Sequence, residues 1–243
     1  MSVRPHLRRA TRPRTTLPLA AAAAIVGAAA AGAGCTDFAT PAELTKPTIL
    51  AVIAEPPIVA PGAQTELSVA VVDGTGVLMD LPARWSLVET YRGVPPMGTL
   101  TGSTYTAPDP IPTLPPNAPP IDSVQLEVDT SAGTLTAIKA VPVASVDAAN
   151  PTIDTFTVGA SDALAGPITV THGATLDLDV VTDPPATADA RYAWYSSVGD
   201  IEQYQSNPTT MIAADQAKSG WMFVVVRDGK GGVTWRGVAV TVE

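Results

Sequence analysis

Turn-forming residues break this chain at short intervals: 24 prolines and 19 glycines are spread over 243 positions. Proline breaks helix interiors and glycine favours turns, so long helices are excluded over most of the sequence. Between the breaks, apolar and polar residues alternate, and no 3.6-residue period is sustained. In TELSVAVVD, Leu67, Val69 and Val71 fall on one face while Glu66 and Ser68 fall on the other. ATLDLDVV repeats the pattern, with Leu176, Leu178 and Val180 inside and Asp177 and Asp179 outside. GVAVTVE places Val238, Val240 and Val242 together. WMFVVVRD is fuller, as expected of a central strand buried in a sandwich. Short strands with turn signals between them predict an all-β fold of packed sandwiches.

The chain also repeats itself. Pro47-Thr48-Ile49 returns as Pro151-Thr152-Ile153, and Ala83-Arg84-Trp85 corresponds to Tyr192-Ala193-Trp194. Asp129-Thr130-Ser131-Ala132-Gly133 corresponds to Asp228-Gly229-Lys230-Gly231-Gly232. The offsets of 104, 109 and 99 drift, as loop insertions and deletions between related strands would make them. Two units follow, 47–149 and 150–243, each near the size of an Ig-type domain. Trp85 and Trp194 are expected in the cores, and DGKGG is expected as a hairpin turn.

GTLTGSTYTAP, from Gly98 to Pro108, resembles the G-T-[ILV]…Y-T-A-P stretch of bacterial Ig-like domains. WYSSVGDIEQ, TTMIAAD and GWMFVVVRDGKGG are similar to the tryptophan, glycine turn and D-G-x-G-G ending of PKD-type and related Ig-like modules. The resemblance covers most of residues 47–243 and implies two tandem Ig-like β-sandwiches. It says little about a ligand. The first unit departs from it in the proline-rich insertion Pro108–Pro120, and in Asp129-Thr130-Ser131 where a D-G turn is usual.

The amino terminus has a different character. Arg4, Arg8, Arg9, Arg12 and Arg14 precede a charge-free, alanine-rich run from Leu17 to Gly34. A basic region, an apolar region and a small-residue cleavage zone compose a secretory signal, here assigned to residues 1–34. Gly32-Ala33-Gly34-Cys35 resembles a bacterial lipobox, with Gly32 where leucine is usual. That resemblance implies lipid transfer to the Cys35 sulfur, cleavage before it and acylation of the new amino terminus. Several acyl chains give firm membrane attachment where one does not. Residues 35–46 are then expected to be the lipidated cysteine and a polar tether. Thr36 stands where an inner-membrane retention signal places aspartate, which favours the outer membrane of a Gram-negative bacterium.

Beyond the signal, nine basic face 23 acidic side chains, a net of −14. Such a balance excludes ordinary nucleic-acid binding, which needs clustered Lys and Arg. One cysteine allows no intrachain disulfide and no cysteine-built zinc site. His172 is the one histidine after the signal, in a turn sequence, and no nucleophile-elbow, zincin or phosphate-loop motif occurs. No catalytic residue is assigned. A hydrolase would need opposed carboxylates, and Asp177, Asp179, Asp200 and Glu202 are the candidates for that. Asp177, Asp179, Asp183 and Asp228 are candidate calcium ligands, although no EF-hand supports them. Tyr195, Tyr204 and Trp235 are candidates for an exposed aromatic platform that would take a glycan. The insertion Pro108–Pro120 is expected to be a stiff loop. The expected function is a non-catalytic, membrane-anchored binding, adhesion or scaffolding module with no cofactor beyond its lipid. Its partner would be an envelope protein or a glycan. The alternative is a carbohydrate-binding accessory module of an envelope hydrolase system.

Overall fold

The computed structural model describes residues 41–243, and among these every regular element is a β-strand. The signal and Cys35 lie outside the described residues. The first sandwich comprises β1 (Thr48–Glu55), β2 (Gln64–Val72), β3 (Leu78–Met79), β4 (Ala83–Val88), β5 (Thr99–Thr101), β6 (Thr104–Thr106), β7 (Ile121–Thr130) and β8 (Gly133–Pro142). One of its sheets runs β1-β2-β6-β5, with β3 on β2, and the other runs β4-β7-β8. The second sandwich begins with β9 (Thr152–Val158), β10 (Ser161–Asp162), β11 (Ile168–Val170), β12 (Thr175–Asp183) and β13 (Arg191–Ser196). It ends with β14 (Gly199–Ile201), β15 (Thr209–Ala213), β16 (Lys218–Arg227) and β17 (Val233–Val242). Its sheets run β10-β9-β12-β15-β14 and β11-β17-β16-β13.

In order of appearance, each sandwich sets its first, second, fourth and fifth main strands against its third, sixth and seventh. That division is the Ig plan. The sequence repeats fall on equivalent strands: the two Pro-Thr-Ile runs enter β1 and β9, Trp85 and Trp194 sit on β4 and β13, and the two Asp-to-Gly turns join β7 to β8 and β16 to β17. The insertion Pro108–Pro120 joins β6 to β7, with Ile111 packed on the first core and the Pro119 carbonyl accepting from the Tyr91 hydroxyl at 2.9 Å.

Both units make one body. The outer face of β1 and β2 lies on the outer face of β13, β16 and β17, and Leu50, Ala70 and Val72 meet Ala193, Phe223 and Val225 in a buried apolar seam. This explains the fullness of WMFVVVRD. The even positions Met222, Val224 and Val226 fill the second core, while the odd positions Phe223 and Val225 fill the seam. β16 is central in its sheet, between β17 and β13, as expected, and the second covered face accounts for the apolar odd positions. At Gly237 a side chain would collide with the Phe223 ring, so glycine lets that ring lie close over β17.

Polar contacts fix the seam. Asn150, in the connection between the sandwiches, donates to the Ala54 carbonyl at 2.8 Å and accepts from the Val233 N–H at 2.8 Å. The turn after β2 reaches across, and its Thr75 carbonyl accepts from the Ser197 hydroxyl at 2.8 Å. The tether expected over 35–46 is corrected from Pro41 onward. Ala42 and Leu44 are buried, the Leu44 N–H donates to the Ser196 carbonyl at 2.9 Å, and the Ser196 N–H donates to Ala42 at 2.9 Å. An apolar residue at every second position lets this segment close the free edge of β13.

Candidate functional site

Trp221, Phe223 and Trp235 project from adjacent strands toward the seam. The Trp221 and Phe223 rings stack with centroids 5.9 Å apart, and Phe223 lies 6.2 Å from Trp235. Phe223 is buried, whereas both tryptophans stay half-exposed at the rim, because the first sandwich covers the centre of this face and not its margin. Across the gap stand Ile53 of β1 and Leu78 of β3, the latter 52% exposed. Two adjoining hollows of about 450 and 390 Å³ share Ile53, Leu78 and Trp235. Arg236 edges one and Asp80 the other. The result is a groove of aromatic and aliphatic side chains interrupted by Ser68 and Thr234, with charges at its margins.

The expected glycan platform is corrected by this packing. Trp235 does face away from the second core, as its alternation with Val238, Val240 and Val242 requires, but the first sandwich covers part of it. Tyr195 is largely buried in the seam, and burial pushes its hydroxyl above the ordinary range. Tyr204 packs on the second core instead. The three share no open face. Trp221, Leu78 and Ile53 were not singled out from sequence. The signal for Trp221 was its phase, two positions before Phe223 and four before Val225.

The candidate calcium ligands are also separated. Asp177 and Asp179 are exposed on the outer face of β12, and Asp179 accepts from the Asn207 amide at 3.0 Å. Asp183 ends that strand, beyond a register shift after Val181. Asp228 lies on the other sheet, where one carboxylate oxygen accepts from the Lys230 and Gly232 N–H groups at 2.7 and 2.8 Å. Among the described residues no three His, Cys, Asp or Glu side chains converge to hold a metal. Glu202 accepts from the Thr210 hydroxyl at 2.7 Å, and Thr210 is the cross-strand neighbour of Asp177. Asp200 and Glu202 are exposed at the edge of this sheet, so the four candidate carboxylates lie on open surface instead of facing one another across a cleft. His172 is exposed in its turn, beside the Glu243 carbonyl at 3.1 Å.

No family model matches this chain, and no curated protein matches it in sequence. Among solved structures it is similar to a chimeric titin Z1Z2-Z1Z2 tandem, at 15% identity and a TM-score of 0.33, over 81% of this chain and 99% of that one. It is also similar to the tandem Ig repeats of Dlar, at 11% identity and a TM-score of 0.31, over 81% of this chain and 97% of that one. The N-terminal Ig1-2 module of Drosophila receptor protein tyrosine phosphatase DLAR gives 12% identity and a TM-score of 0.31, over 82% and 99% of the respective chains. The Ig-like character of both sandwiches is carried by the strand order of this chain itself.

Proposed function

We propose that this chain is a non-catalytic binding module of a bacterial envelope, held in the outer membrane through lipid on Cys35, whose rim groove captures an apolar segment of another envelope protein. The observation that carries the reading is the groove. Its aromatic rings stand at the margin of a buried seam, beside the exposed aliphatic Leu78, and not on a free sheet face. Aliphatic and aromatic walls favour an apolar peptide over a sugar, whose hydroxyls need several convergent polar partners. A groove built on packed strands suits capture, since little ordering entropy is lost on binding. The docked segment begins at Pro41, six positions after Cys35, so the proposed anchor is short.

A photo-crosslinking residue replacing Leu78 in the full chain, expressed in cells, tests the groove. An adduct of one defined mass that disappears in Trp235→Ala and Trp221→Ala supports the reading. An adduct indifferent to both variants, or none, overturns it. Quenching of tryptophan fluorescence by peptidoglycan fragments would instead establish the glycan reading. Intact-mass spectrometry of the membrane-extracted protein tests the anchor: the expected amino terminus is a thioether-modified, acylated Cys35, and an unmodified thiol would remove it.

A further inference from the structure

On the same seam, away from the tryptophans, three cations converge. Arg191 of β13 and Arg227 of β16 are direct cross-strand partners. Like charges placed opposite each other destabilise a sheet unless something neutralises them. Lys139 of β8 joins them from the first sandwich, only 7% exposed. These three line a crevice of about 450 Å³ whose other walls are residues of β1 and β8, apolar apart from Thr136, with Val233 and the glycines of the DGKGG turn. Among the described residues no carboxylate lines it, although the Asp228 charge acts on Lys139 from nearby. One third of the nine basic residues after the signal thus face one hollow, although 23 acidic residues accompany those nine.

Nor are these cations neutralised by their present partners. Arg191 donates to the Ala190 and Ala188 carbonyls at 3.0 and 3.4 Å, Arg227 to the Leu50 carbonyl at 3.4 Å, and Lys139 to the Gly231 carbonyl. Carbonyls position a guanidinium without cancelling its charge, and each keeps most of its five donors free. Among the described residues, the ion pairs are those of Arg84 with Glu127 and Asp129, which involve none of these three.

We propose that this crevice binds a phosphate group, carried by a small ester or glycan, between the Arg191 and Arg227 guanidiniums and the Lys139 amine. Two forked guanidiniums match the oxygens of a tetrahedral dianion, and a partly buried setting strengthens each charge-assisted bond. Burial already pushes the Lys139 amine down to about 8, with the Arg227 charge acting in the same direction and Asp228 partly opposing both. A bound dianion would hold the proton on that amine. Affinity should then fall as pH rises beyond about 8, where phosphate itself no longer changes charge.

Calorimetric titration of the purified full chain at low salt, with inorganic phosphate, glycerol 3-phosphate and glucose 6-phosphate, tests this. The expected result is saturable one-site binding at millimolar or lower concentration, weakened about tenfold or more by Arg191→Gln and by Arg227→Gln. Arg84→Gln should leave it unchanged. Preference for the glycerol ester would point to a lipid headgroup, and preference for the sugar ester to a phosphorylated glycan. Absence of saturable binding, or equal weakening by Arg84→Gln, overturns the proposal. Arg191 is exposed, so its substitution reads the site without disturbing the core. The crosslinking test of the rim groove uses other residues, so either reading can fail alone.

Discussion

In the second sandwich Trp194 is fully buried between the sheets, with the Phe156 ring 5.9 Å away and its indole N–H donating to the Ser206 carbonyl at 2.8 Å. In the first sandwich the equivalent Trp85 is only half-buried, and the interior holds a carboxylate. Asp122 accepts from the Met97 and Gly98 N–H groups at 2.9 and 2.7 Å and from the Tyr105 hydroxyl at 2.8 Å. Burial and that carboxylate together push the Tyr105 hydroxyl well above its usual range, so it stays a donor. One strand plan is thus filled in two ways. The edge of β13 is covered where its tryptophan sits, the Trp194 N–H donating to the Tyr204 carbonyl at 2.8 Å and the segment at Ala42–Leu44 pairing with Ser196 beyond it, whereas β4 remains an open edge. The first sandwich makes good the deficit with a satisfied polar network, which fixes one arrangement but tolerates no missing partner.

The largest expected effects break each core in its own way. Trp194→Ala should cost about 3–5 kcal/mol through lost burial and the cavity left behind. Asp122→Ala should cost about 2–4 kcal/mol, because two backbone N–H groups and a hydroxyl lose their acceptor in a dry interior. Urea denaturation followed by tryptophan fluorescence measures both. Because the seam joins the sandwiches, each variant should still unfold in a single transition. Two separated transitions would show that the sandwiches are energetically independent.

Lys139 gives the next effect and sharpens the contrast at the seam. Its folded amine loses its proton near pH 8, against an ordinary value of 10.5. Between those values the unfolded chain binds more protons than the folded one, so stability rises with pH across that window. Below about pH 8 the whole cost of burying the charge is present, on the order of 3 kcal/mol. Lys139→Met should flatten this rise and stabilise the protein at neutral pH. A wild-type stability that stays level from pH 8 to 10 would show that the amine is not desolvated as described.

Asp122 and Lys139 also mark how far the sequence could be read. The strand plan was legible, because alternation and turn residues act locally. Trp194 was legible because a tryptophan on an inner strand has few other uses. Asp122 stands in phase with Val124, Leu126 and Val128, and Lys139 in phase with Leu135, Ala137 and Val141. A charge in register with a core series is a readable sign of a buried polar contact, but its partners lie on other strands and do not show in one strand's pattern. The seam was less legible still. Phe223 and Val225 signalled a second buried face on β16, yet nothing local said what would cover it. The tether was misread because Ala42 and Leu44, two apolar residues among polar ones, make too short an alternation to stand out.

The smallest effect belongs to the outer sheet of the first sandwich, where Arg84 donates to Asp129 and to Glu127 at 3.3 Å, all three side chains in water. Asp129 is held down to about 2 by hydrogen bonds from Arg84 and Thr134, and Arg84 is correspondingly raised. A depressed carboxylate contributes stability above its unfolded value, and that contribution disappears as pH falls from about 4 to about 2. Exposure screens the pair, so Arg84→Ala should shift the urea midpoint barely at low salt and not at all in molar salt. Its acid limb should move slightly toward higher pH. A large, salt-insensitive loss on Arg84→Ala would mean that β4 leans on its surface charges as heavily as on its interior network.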